Sequence, residues 1–241
     1  NYLLFDDVLF MEKATEEHNS FTNIIKRFTG EKNCFQLMDL LKQTLSHSII
    51  KKNFFSDMGF NDRFKDYEMV ALSLTRAAPG ENPLLNIMFT RDLGISIGNS
   101  MIITWASNKV RNPENIIAKY IIKNHKLFSG YNIYDFHENH PDLALEGGDV
   151  TLINEETIAI GISERTSKAS VEAITPFLYK NGIKYIMCFN MPEERRFMHL
   201  DTVFSIINHD EAIVYLPFFE KGGSHELDVD IITTSKNNPL S

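Results

Sequence analysis

The stretch "FMHLDTVF" at 197–204 sets His199 and Asp201 two residues apart in an otherwise apolar run. On a strand, alternate side chains share a face, so both polar groups would point the same way and would need partners or water. Three readings are open at this point: a hydrogen-bonded core pair, half of a metal site that needs a further ligand, or a proton-shuttling histidine beside a carboxylate. Three other stretches carry groups of similar potential. "NIMFTRD" at 86–92 ends a short apolar run on Asp92, close to Asn86. "LEGGDV" at 145–150 sets Glu146 and Asp149 on either side of a glycine pair, which permits a tight bend in a sheet or the close approach of another group to the backbone. "GISERTS" at 161–167 puts Arg165 at a strand end just before a helix, a common place for substrate contacts.

Two further groupings carry less. "HENHPD" at 137–142 lacks the i, i+4 histidine spacing of a zinc-binding helix and reads as a polar loop. Gly94, Gly98, Gly147 and Gly148 make neither a phosphate loop nor a dinucleotide fingerprint.

The elements that must position these groups fall into three parts. Residues 8–78 read as a helical segment, with Val8, Phe10, Met11, Ala14, Phe21, Ile24 and Ile25 at mostly helical spacing in the first helix. Leu37, Leu40, Leu41 and Leu45 repeat the pattern, and "RFKDYEMVALSLTRA" is a third helix stopped by Ala78-Pro-Gly. Over 79–220 the expected unit is hairpin, helix, strand: "ISIGNSMIITW", then a helix over "PENIIAKYIIKNH", then "LALEGGDVTLI" and "TIAIGIS". A helix runs from an N-cap at Ser167 to Gly182, with Pro176 kinking or dividing it. "KYIMCFNM" and "HLDTVFSII" follow, and "EAIVYLPFF" closes another hairpin. Residues 221–241 read as a connection with one short apolar step, "VDIITT".

Composition narrows the class. The chain of 241 residues can bury a large core. Its net charge of −8, without a basic block, argues against nucleic acid as partner and fits a small cationic substrate no better than plain solubility. No run approaches a membrane span, and no signal-peptide pattern is present. The two cysteines, Cys34 and Cys188, have no metal-type spacing or disulfide framework, so a reducing cytoplasm is expected. The chain opens on Asn1, and a processed or incomplete chain is expected.

Taken in order, "LLFDDV" at 3–8, "NIMFTRD", "LEGGDV", "IAIGISERTS" and "MHLDTVF" resemble the successive motifs of the arginine deiminases, over residues 3 to about 217. That resemblance implies an α/β fold, a pseudo-fivefold α/β propeller (pentein) of repeated ββαβ-type modules with a helical insertion, incomplete in this chain. It implies hydrolysis of L-arginine to L-citrulline and ammonia through a covalent amidino-cysteine intermediate, with no metal or organic cofactor. A guanidinium is a delocalised cation with a poorly electrophilic carbon, so carboxylates must grip and orient it. The resemblance assigns that grip to Asp92 and Asp201, and proton transfer to His199 with Glu146 beside it. It assigns the α-carboxylate of arginine to Arg165 and Arg111, and the lining of the side-chain channel to Asn86 and Phe89.

The resemblance also implies a nucleophilic cysteine near the C-terminus, which this chain lacks. Cys188, mid-strand in "KYIMCFNMP", reads as a small buried hydrophobe. A truncation at both ends is therefore expected, with a C-terminal partner segment supplying the cysteine. The alternatives are one half of a split deiminase, or a non-catalytic relative that binds arginine or a partner chain; a homo-oligomer is a further expectation.

Overall fold

The computed structural model describes residues 10–59 and 84–234, so "LLFDDV" and "RFKDYEMVALSLTRA" lie outside the described residues. Among the described residues, the N-terminal segment forms three α-helices, Met11–Thr29, Leu37–Thr44 and Ser48–Asp57. The second and third bury Leu41, Leu45 and Phe54 against Ile117 and Ile121 of a later helix, Asn112–Asn124. Each such side chain stabilises the docking by about 1.5–3 kcal/mol. The first helix departs from its amphipathic pattern: Phe10, Met11, Phe21, Ile24 and Phe28 all remain exposed, and Thr22 is its one buried residue.

The hairpin-helix-strand unit is present twice in full. Strands β1 (Gly94–Ile97) and β2 (Ser100–Ile103) form an antiparallel hairpin. The helix Asn112–Asn124, with Pro113 in its first turn, crosses to β3 (Asn132–Asp135), which runs parallel to β2. Strands β4 (Val150–Asn154) and β5 (Thr157–Ile162) repeat the hairpin, and the helix Lys168–Lys180 crosses to β6 (Tyr185–Asn190), parallel to β5. Ser167 caps that helix by accepting from Ser170 N. Pro176 lies inside the helix without dividing it. A third hairpin pairs β7 (Phe204–Asn208) with β8 (Glu211–Val214).

The expectation for the C-terminal connection needs correction. Val229–Thr233 is a strand, β9, which pairs antiparallel with β6 from Tyr185↔Thr233 to Phe189↔Val229. The reason is the open edge of β6, whose backbone groups need partners that its own module does not supply. The resulting sheet has the order β4-β5-β6-β9.

Strand β5 is central in this sheet, and its two faces explain the site. Ile158 and Ile160 face the main core with Val171, Ile174, Leu178, Ile186 and Cys188. Ala159 packs in the opposite cluster with Phe189, Phe197, Leu200, Val203 and Phe218. The small residues Ala159 and Gly161 on that face allow the entrance of the third hairpin to lie directly on the strand.

Candidate active site

Three 3₁₀ turns build the site, one at the entrance to each hairpin: Thr90–Leu93 before β1, Gly147–Asp149 before β4 and Leu200–Thr202 before β7. Such short turns leave backbone N–H groups without internal partners, and carboxylates take them. Asp92 Oδ1 accepts from Gly148 N at 3.1 Å, and Asp149 Oδ1 accepts from Leu200 N at 3.1 Å. The aspartate of each of the first two turns thus fastens the turn that follows. Arg91 adds a bond from Nη2 to the Val150 carbonyl at 2.8 Å.

The glycine pair serves close approach. A Cβ on Gly147 would stand 2.0 Å from the Arg91 carbonyl oxygen, and one on Gly148 would stand 2.8 Å from Asp92 Oδ1. Neither glycine has a positive φ, so contact with a neighbouring turn is what excludes a side chain.

His199 and Asp201 do not sit on a strand. His199 is the extended N-cap of the third turn and Asp201 lies within it, with β7 beginning only at Phe204. A turn of this length brings both side chains to one cavity without strand alternation. The cavity, about 610 Å³, is lined by all eight residues anticipated from the sequence: Asn86, Phe89, Asp92, Arg111, Glu146, Arg165, His199 and Asp201. Phe21, Met88, Arg195, Met198 and Thr202 also reach it, and nothing in their local sequence marked them.

Around His199 the charges are close and buried. Nε2 lies 3.5 Å from Glu146 Oε2 and 3.8 Å from Asp92 Oδ1, and Nδ1 lies 3.4 Å from Asp149 Oδ2. Nδ1 has no well-aligned hydrogen bond, and Asp149 is the acceptor at ion-pair distance. Burial disfavours the imidazolium, but Asp149 and the charges of Asp92 and Glu146 outweigh it and hold the pKa above its ordinary value. The pKa of Asp201 is raised as well, by burial first and by Asp92, with His199 opposing. Among the described residues the Asp201 carboxylate makes no hydrogen bond or ion pair.

Arg111, expected at a ligand's carboxylate, is held by the protein's own acceptors. This guanidinium is buried, with Nη1 and Nε on carboxylates and Nη2 directed at the Asn86 carbonyl at 3.4 Å. Nη1 donates to Asp92 Oδ2 at 2.8 Å and to Glu146 Oε2 at 3.1 Å, and Nε donates to Glu114 Oε2 at 2.9 Å. Buried carboxylates need a counter-charge, and Arg111 is the cation these three share. Burial opposes its charge, but Glu114, Asp92 and Glu146 together raise its pKa. Arg165 is buried at the same cavity, with Glu164 Oε1 3.1 Å from Nε.

Asp92, Glu146 and His199 each offer one ligand atom, all within 4.8 Å of one another, the spacing a metal ion could use. Arg111 Nη1 already lies between the two carboxylates, supplying there the positive charge an ion would bring. Neither cysteine lines the cavity. Cys188 is buried in the main core, where burial pushes its thiol up to about 11. "HENHPD" forms a helical turn at Phe136–Asn139 rather than a loop, with His137 stacked on Trp105 at 3.8 Å.

Fold and site together define an α/β protein of repeated hairpin-helix-strand modules whose turn-borne carboxylates hold a guanidinium. The model of the family described as arginine deiminase matches residues 61–238. The chain is 33% identical to the arginine deiminase of Borrelia recurrentis, over 97% of this chain and 66% of that protein. It is 27% identical to arginine deiminase 1 of Staphylococcus epidermidis, over 98% of this chain and 66% of that one. The chain belongs to the arginine deiminase family, and it spans 66% of the length of these relatives. Among solved structures, DDAH from Pseudomonas aeruginosa complexed with citrulline aligns at 19% identity and a TM-score of 0.44, covering 54% of this chain and 46% of that one. Among the described residues, no helix is long and apolar enough to cross a membrane.

Proposed function

We propose that this chain binds the guanidinium of L-arginine in the cavity between Asp92 and Asp201, and carries the proton-transfer part of its hydrolysis to L-citrulline and ammonia. The observation that carries this reading is that the site already grips a guanidinium, that of Arg111, through Asp92 and Glu146. Geometry that suits one guanidinium suits another.

On this reading the ligand's guanidinium takes the free oxygens of Asp201 and displaces Arg111 Nη1 from Asp92, while Glu114 keeps hold of Arg111. A second cation beside Asp201 favours the charged form of that carboxyl. Asn86 and Phe89 line the channel for the aliphatic chain, and Arg165 meets the α-carboxylate. Attack of a thiolate on the guanidinium carbon gives a tetrahedral adduct, and His199 protonates the departing ammonia. The same imidazole then takes a proton from the water that hydrolyses the amidino intermediate and frees the thiolate. Neither Cys34 nor Cys188 lies where it could be that thiolate, so it comes from a segment or chain that carries the family's cysteine.

Calorimetry with L-arginine tests the binding half. Saturable heat that is lost in Asp92→Ala is expected, and unchanged binding in that variant overturns the grip. A citrulline assay on the chain alone, and mixed with a C-terminal segment carrying the cysteine, tests the other half. Citrulline is expected from the mixture only, and turnover by the chain alone overturns the assignment of the thiolate.

A further inference from the structure

We propose that Asp149 is the positioning residue of the site: its carboxylate holds the Nδ1–H of His199, so that Nε2 is the nitrogen turned toward the ligand. The inference rests on His199 as the proton carrier of the proposed reaction. Asp149 is fully buried and does not line the cavity, so it acts through the imidazole rather than on a ligand.

The carboxylate is itself fixed on both oxygens. Oδ1 accepts from Leu200 N, in the turn that His199 caps, and Oδ2 accepts from Ser163 Oγ at 2.8 Å. Ser163 Oγ in turn accepts from Arg165 N at 3.0 Å and Thr166 N at 3.2 Å. A hydroxyl has one proton and two lone pairs, so with both lone pairs taken its proton must go to Asp149. What remains is a buried negative charge that needs a cation. Arg111 is committed to Asp92, Glu114 and Glu146, and the group at ion-pair distance from Asp149 is His199 Nδ1, 3.4 Å away.

Two glycines make this approach sterically possible. A Cβ on Gly161 would stand 2.8 Å from Asp149 Oδ1, and one on Gly148 would stand 3.1 Å from His199 Nδ1. The family resemblance sets Glu146 beside His199 as well. Glu146 already has a cation: Oε2 accepts from Arg111 Nη1 at 3.1 Å, and Oε1 accepts from Ser107 N at 2.9 Å and from Ser107 Oγ. Glu146 faces Nε2, on the ligand side of the imidazole.

Nitrogen-detected NMR of the imidazole in the full chain tests the assignment without any turnover. The charged groups that face the ring are Asp149, Asp92, Glu146 and Asp201, with Arg111 behind the last carboxylate but one. In the unaltered protein the neutral ring is expected to carry its proton on Nδ1 and to titrate above free histidine. Asp149→Asn should move the midpoint down and lose the Nδ1–H form. Asp149→Ser, which also removes the carboxylate charge, should do the same, and serves if Asp149→Asn does not fold. Glu146→Gln should lower the midpoint yet keep the proton on Nδ1. An unchanged tautomer and midpoint in Asp149→Asn, or in a folded Asp149→Ser where the first variant fails, overturns the proposal. So does loss of the Nδ1–H form in Glu146→Gln alone. Failure of arginine to bind would undo the proposed function but leave this titration as it is.

Discussion

A Cβ on Gly148 would stand 2.9 Å from Cγ of the His199 ring, so the backbone of the second turn and the imidazole of the third occupy adjoining space with no room between them. Gly148→Ala must therefore push the ring or the turn aside. Overpacking of this kind costs about 1–3 kcal/mol, and urea denaturation should register it together with an altered His199 resonance. Gly147→Ala should cost more, because its Cβ would meet the Arg91 backbone carbonyl and not a side chain able to rotate away.

Arg111 gives a prediction that separates two roles. As the shared counter-charge of Asp92, Glu114 and Glu146, its removal in Arg111→Met leaves buried carboxylates uncompensated. Breaking such a cluster from one side costs about 3–5 kcal/mol. A denaturation midpoint equal to that of the unaltered protein would mean that the guanidinium is free to serve a ligand's carboxylate alone.

The pH dependence follows from His199. Its pKa in the folded protein lies above the ordinary 6.5, so the fold binds that proton more tightly than the unfolded chain does. The stability it contributes is fully present below about pH 6.5 and is lost as pH rises through the folded value. Thermal melts from pH 6 upward should show this decline, and His199→Gln should flatten it. A slope unchanged in the variant would assign the decline to another group.

Thiol chemistry provides a check on the core. Cys188 is buried and its thiol is held up near 11, whereas Cys34 is partly exposed. Iodoacetamide at pH 8 should label Cys34 in the folded chain and reach Cys188 only on unfolding, as read by mass spectrometry of the peptides. Labelling of Cys188 ahead of Cys34 would contradict its place between β6 and the helix Lys168–Lys180.

Eight residues that line the candidate site were legible in the sequence because the order of their motifs is a local fact; the contacts among them were not. His199 and Asp201 do reach one cavity, but from a turn, since an apolar run such as "FMHLDTVF" does not reveal that three of its residues form a 3₁₀ entrance to the strand. Asp149 was visible only as one flank of a glycine pair. Its partners Ser163 and Leu200 lie 14 and 51 residues away, and no spacing rule connects them. Arg111 left one usable signal, Glu114 three residues on, where a helical start makes such a pair. β9 was hidden because its pairing depends on the free edge of β6 and hardly on its own composition. The helix Met11–Thr29 shows the opposite failure, a clear apolar pattern whose burial the described residues do not supply.

The three turns come from three hairpins, and the aspartate of one fastens the next. The full set of charges around the imidazole therefore requires all three of these hairpin entrances to be in place. His199 is thus a built-in reporter of quaternary-like order within one chain. Its signal should vanish at the first loosening between modules, well before the helices or the individual hairpins melt.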